Sequence, residues 1–200
     1  MAYSDFSLDD VREKLGLRTL RASLFPQVTP VQLAPWFEES IRRGRAQALI
    51  SEKARSEFVV TPILMHCGDF VGENYAIYSG VDLDVDAGAG LKGVCDFILG
   101  GTPPMPALTD PLMVLVEAKK GDIEAGIPQC VAQMVAARQF NVDRKNPVNR
   151  IHGCVTTGTD WQFLRLAGQD LIIDTDLYYL TAMDKIIGIF VTIMKGGHKG

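Results

Sequence analysis

Apolar positions along the chain change their spacing several times, and each change marks a new element. Leu8, Val11 and Leu15 recur at helical spacing after Ser7, which can cap a short helix with Asp10 as the capping-box partner, and Gly16 stops it. Pro26, Pro30 and Pro35 then break the chain into a loop. This first segment reads as a packing arm without chemistry. From Trp36 to about Cys67 the spacing is helical again, as two helices divided near Gly44. Leu49, Ile50, Ala54, Phe58, Ile63 and Leu64 give the second helix one buried side, and Pro62 kinks or restarts it.

Strand signals follow. Tyr75 to Asp86 alternates, with Val81, Leu83 and Val85 set against Asp82, Asp84 and Asp86, which predicts a half-exposed strand with its aspartates on the wet face. The three aspartates do not make a calcium loop, because Ala87 stands where the sharp-turn glycine belongs and Gly93 where the bidentate Glu belongs. Gly88, Gly90 and Gly93 instead predict a hairpin into the strand Gly93 to Gly100. After a Pro-rich loop, Leu112 to Lys119 reads as a strand. Gly121-Asp122 turns the chain into a helix from about Ile123 to Phe140, and Asn141 to Asn149 is a polar loop. Strands are expected at Ile151 to Thr157, Trp161 to Leu166 and Leu171 to Ile173, and a final amphipathic helix at about Ala182 to Met194. Trp161 fits a core position better than a base-stacking one.

Two of these strands carry charge where burial is expected. Val114, Leu115 and Val116 form a run of the kind buried on both faces, and it ends in Glu117 and Lys119, two apart and therefore on one face. Asp96 interrupts an apolar strand between Cys95 and Phe97. Such charges cost several kcal/mol unless they serve each other or bind an ion.

An aspartate followed, beyond a Pro-rich gap, by Glu-x-Lys at the end of a hydrophobic strand resembles the signature of the PD-(D/E)XK nuclease superfamily, although Cys95 stands where the motif has proline. Ser51-Glu52, Arg55 and Pro62-Ile63-Leu64 extend the likeness to the N-terminal nuclease domains of type I restriction enzyme R subunits and related stand-alone proteins. The resemblance covers roughly residues 48–175. It implies an α/β, restriction-endonuclease-like three-layer sandwich with a central mixed sheet flanked by helices. It further implies that Asp96 and Glu117, with the carbonyl of Ala118, hold Mg²⁺, for which Mn²⁺ can substitute. Lys119 would orient or help deprotonate the attacking water, and a helical acid, Glu52 or Glu57, would approach the metal. Gln129 and Gln133, i and i+4 on the following helix, match a glutamine that lies near the site in superfamily members.

Composition narrows this picture only a little. Two hundred residues at 47% apolar content suit one domain with a full core. That domain divides into an N-terminal helical arm (1–47), a nuclease-like core (48–175) and a C-terminal helix (176–200). No basic-then-apolar leader or membrane-length apolar run is present, so the expectation is a cytoplasmic protein with no membrane partner. Cys67, Cys95, Cys130 and Cys154 lack zinc spacing and are expected to be reduced and buried, and His66, His152 and His198 offer no metal pair or nucleophile relay. A net charge of −4 gives no help to nucleic-acid binding, but Arg42, Arg43, Arg45, Lys53 and Arg55 cluster in one region. The leading expectation is a Mg²⁺-dependent nuclease acting on nucleic acid, DNA ahead of RNA. It would work as a homodimer or with a protein partner that supplies target choice. The alternative is a catalytically silent binding or assembly protein that keeps the nuclease fold.

Overall fold

The structure, a computed structural model, describes residues 1–196; the reading of His198 lies outside the described residues. The chain is α/β, built on one seven-stranded mixed sheet. Its strands are β1 Arg18–Ala22, β2 Ala76–Asp82, β3 Val94–Gly100, β4 Leu112–Ala118, β5 Ile151–Thr156, β6 Asp160–Ala167 and β7 Asp170–Tyr179, in the order β1-β7-β6-β5-β4-β3-β2. β4 and β5 pair in parallel across a connection that contains α5 (Ile123–Asp143), β1 and β7 are also parallel, and the remaining neighbours are antiparallel. A parallel pair needs such a crossover, which is why the longest helix lies between β4 and β5.

Helices cover both faces. One face packs Leu115, Val155 and Leu164 against α5, together with Tyr3, Phe6 and Val11 from the N-terminal segment that includes α1 (Leu8–Glu13). The other packs Val114, Val116, Trp161 and Phe163 against α2 (Pro35–Arg45), α4 (Thr61–Val71) and α6 (Met183–Gly196). β4 is buried along its whole length, as expected for a central strand between two apolar layers. Trp161 is fully buried. All four cysteines are buried free thiols. No described helix is long and apolar enough to cross a membrane.

The N-terminal segment is less helical than expected, because β1 adds a sheet-edge strand to it. The second helical stretch also differs from a regular helix. It comprises α3 (Glu52–Arg55), a π-helical turn at Ser56–Val60 and α4. Pro62, near the start of α4, has no N–H to donate and its ring excludes the carbonyl of Phe58 from a normal turn. The widened turn answers that constraint: the Thr61 N–H reaches back to the Ser56 carbonyl, which also accepts from the Thr61 hydroxyl at 2.9 Å. The displaced Phe58 carbonyl lies against Gly44 of α2, so close that a Cβ there would be 2.1 Å from the oxygen.

Candidate functional site

The site forms where β3 and β4 run side by side. Phe97 is paired with Val116 and Ile98 with Leu115, so continuing the register by one residue sets Asp96 across from Glu117. Leu115 belongs to the α5 side, and the period of two carries Glu117 and Lys119 to the same side. Two carboxylates opposed on adjacent strands repel each other. The sequence tolerates this because the end of β4, the Lys119 side chain and α5 supply donors.

Asp96 Oδ2 accepts from the Ala118 N–H at 2.8 Å. Glu117 is 2% exposed. Its Oε1 is 2.8 Å from Lys119 Nζ, and its Oε2 accepts from Gln133 Nε2 at 2.8 Å. Lys119 Nζ also donates to Gln129 Oε1 at 3.0 Å, and its backbone N–H to the Thr156 carbonyl at 2.8 Å. The two glutamines one helical turn apart therefore divide the work: Gln129 holds the lysine and Gln133 the glutamate. α5 can approach this closely because Gly126 has no side chain. A Cβ there would lie 2.6 Å from Val155 Cγ1 and 2.9 Å from Lys119 Cγ.

Glu52, at the start of α3, accepts from the Lys120 N–H through Oε1 at 3.1 Å. Ser51 caps α3 by accepting from the Ala54 N–H at 3.1 Å, which fixes the turn that carries Glu52. Of the two helical acids, Glu52 is the one brought to this site. Glu57 is not: it pairs with Lys53 at 2.8 Å on the solvent side, where the helix turns it away from the sheet. The contact shown for Ala118 is made by its N–H.

Burial pushes the Glu117 carboxyl up to about 7, with repulsion from Asp96 adding to it against the pull of Lys119 and Gln133. Asp96 is also raised, by burial first, with the Ala118 N–H and Lys119 opposing. Burial is the largest single influence on Lys119 and pushes it down, yet Glu117, Glu52 and Asp96 together carry it above its ordinary value. The lysine is therefore a held ammonium.

Arg55, together with residues not singled out from the sequence, completes the rim. Arg55 Nη1 donates to the Thr157 carbonyl at 2.8 Å, tying α3 to the end of β5. Thr157 and Thr159 both donate to Asp160 Oδ2, at 3.0 and 2.8 Å, which closes the turn beside it. The Thr-Thr-Gly-Thr-Asp run at 156–160 was the available signal, since hydroxyls flanking a glycine and an aspartate make self-bonded turns. Gly126 gave no signal of its own.

Among the described residues no three His, Cys, Asp or Glu side chains are gathered as a ready metal cage. Of the aspartate series, Asp84 and Asp86 are structural: Asp84 Oδ1 accepts from the Gly93 N–H at 2.8 Å and Asp86 Oδ1 from the Ala89 N–H at 2.9 Å, while Asp82 is exposed. His66 is spent on packing, with Nε2 accepting from the Ala34 N–H at 3.2 Å and Nδ1 2.8 Å from Asp69. Compared with protein-family models and with curated proteins, the chain matches none.

Proposed function

We propose that the protein is a divalent-cation-dependent phosphodiesterase of the PD-(D/E)XK type, on a restriction-endonuclease-like core, acting on nucleic acid. One observation carries the reading: Asp96 and Glu117, a half-buried and a buried carboxylate opposed across β3 and β4, with Lys119 fixed beside them by Glu117 and Gln129. The donor set suits a hard cation. Mg²⁺ is commonly held by one or two carboxylates, keeps several waters and takes substrate phosphate, so it does not need a third acidic side chain. Only Oδ2 of Asp96 is hydrogen-bonded among the described residues, which leaves Oδ1 for an ion. The nearby Cys95 thiol is buried and pushed far up, first by burial, so it stays a protonated thiol and a poor competitor.

Bound Mg²⁺ supplies a Lewis acid for the phosphoryl oxygen and a water of lowered pKa. The chain's own groups do the positioning. Lys119 has three N–H donors, of which Glu117 and Gln129 engage two, leaving one for a water or a phosphate oxygen. Its raised pKa assigns it orientation and charge stabilisation rather than proton removal. Gln133 keeps Glu117 aligned, and Glu52 braces the chain at Lys120.

A second reading rests on a different observation: both oxygens of Glu117 are already engaged, by Lys119 and Gln133. That is how a structural ion pair in a silent, nuclease-like binding protein would look. Purified protein with Mg²⁺ or Mn²⁺ and a panel of single- and double-stranded DNA and RNA separates the two. Metal-dependent cleavage that falls about 100-fold or more in Lys119→Met and in Glu117→Gln supports the nuclease. No cleavage by the wild type, with no cation-induced change in melting temperature, supports the silent protein.

A further inference from the structure

A cavity of about 810 Å³ opens at the other end of the sheet. Met113 and His152, near the starts of β4 and β5, line it, and Met113 lies four residues before Glu117, about 13 Å along the strand. Phe25 enters from the loop after β1, and Ile193 from α6. The volume falls within the range of small-molecule sites.

Its charge is one-sided. Arg150 and Arg165 line it, no Asp or Glu does, and neither arginine forms an ion pair among the described residues. Asp110, beside the lining residue Pro111, is engaged by Asn146 Nδ2 at 2.9 Å. Arg165 Nε is buried without a hydrogen-bond partner, a donor that folding has desolvated and left unpaired. His152 is half-buried and forms no side-chain hydrogen bond among the described residues. Burial first, then Arg165 and Arg150, push its imidazole down to about 3, so it is neutral and adds no third charge. The C-terminal end of α6 also borders the cavity and its carbonyl dipoles disfavour an anion, but these are partial charges against two whole guanidinium charges.

Guanidinium forks without carboxylate partners match phosphate oxygens in charge and geometry. The remaining surface is of another kind. Phe25, Met113 and Ile193 offer an apolar, partly aromatic wall for a flat ring, and Gln27 and Asn149 offer amides that can both donate and accept at a ring edge. We propose that this cavity binds a nucleoside monophosphate, with Arg150 and Arg165 on the phosphate and the base against Phe25. It is separate from the carboxylate cluster and does not depend on the reading of that cluster.

Calorimetric titration of the whole chain with AMP, GMP, CMP and UMP, in EDTA, tests it. Adenosine and inorganic phosphate serve as half-ligands. At least one nucleotide is expected to bind with Kd below about 1 mM, and its parent nucleoside and phosphate about tenfold or more weaker. Arg165→Gln and Arg150→Gln should each weaken the nucleotide about tenfold, with Arg165→Lys between wild type and Arg165→Gln. Arg150 is exposed, so Arg150→Gln reports even if Arg165→Gln fails to fold. Glu117→Gln should bind the nucleotide as wild type does, whatever becomes of cleavage. The proposal is overturned if no nucleotide binds at about 5 mM, if phosphate alone binds as tightly as the nucleotide, or if Arg150→Gln leaves affinity unchanged.

Discussion

Glu117 is held in a burial that disfavours its charge, beside a second carboxylate that disfavours it further. Its folded value near 7 stands above its ordinary 4.5, so between those pH values the native protein binds a proton that the unfolded chain has released. Stability therefore falls as pH rises from about 4.5 to about 7, by on the order of 3 kcal/mol, and levels off above. Denaturant melts across that window should show the slope, and Glu117→Gln should flatten it. If the two carboxylates hold a cation, saturating Mg²⁺ should raise the melting temperature more at pH 8 than at pH 5.5, because protonation competes with the ion. Equal shifts at both values would count against a site at Glu117. Gly126→Ala tests the neighbouring packing. Its Cβ would press on Val155 and on the Lys119 stem, so a loss of about 1–3 kcal/mol is expected in chemical denaturation and, on the proposed nuclease reading, a loss of cleavage beyond what the stability loss explains.

At the scale of elements, the π-helical turn at Ser56–Val60 couples α3 to the layer beneath it. Pro62 forces the Phe58 carbonyl out of line, and α2 receives it only because position 44 is glycine. Backbone oxygen cannot swing aside as a side chain can. Gly44→Ala should cost about 1–3 kcal/mol and lower the thermal midpoint, a larger effect than alanine at Gly121, where a Cβ meets nothing within 4 Å. Since Glu52 is carried by the short helix that precedes the π turn, the same variant should also weaken whatever Glu52 contributes at Lys120.

At the scale of the whole molecule, the N-terminal segment is part of the core. Tyr3, Phe6, Val11 and Leu17 are buried on the α5 side, the Tyr3 hydroxyl donates to the Leu83 carbonyl, and burial raises that phenol far above its ordinary value. Tyr3→Ala should cost about 3–5 kcal/mol, measured by urea denaturation, and Tyr3→Phe about 1 kcal/mol. β1 then completes the sheet edge along β7, with Arg18 2.7 Å from Asp170.

The elements most legible in the sequence were those whose side-chain pattern is itself the cause of their structure. The apolar run before Glu117 gave β4, the Gly121-Asp122 turn and the following residues gave α5, and Asp96, Glu117 and Lys119 stood out because charge in such strands is costly. β1 was illegible: all five of its side chains are exposed, so no alternation records it, and only backbone pairing with β7 makes it a strand. β7 ran past its apolar start for a similar reason. Asp174 looks like a strand breaker in sequence, but it is buried and satisfied by the N–H groups of Leu24 and Asp176 and by the Tyr178 hydroxyl. The sequence by itself determined the α/β class, the central strands and the residue types of the candidate site, because burial period and the cost of buried charge act locally. Only the tertiary structure decided that Glu52 and not Glu57 reaches the cluster, that Gln129 serves Lys119 while Gln133 serves Glu117, and that Arg150 of the loop before β5 and Arg165 of β6 share one cavity. Those choices depend on helix phase, a proline-driven π turn and sheet register, which bring together residues distant in the chain.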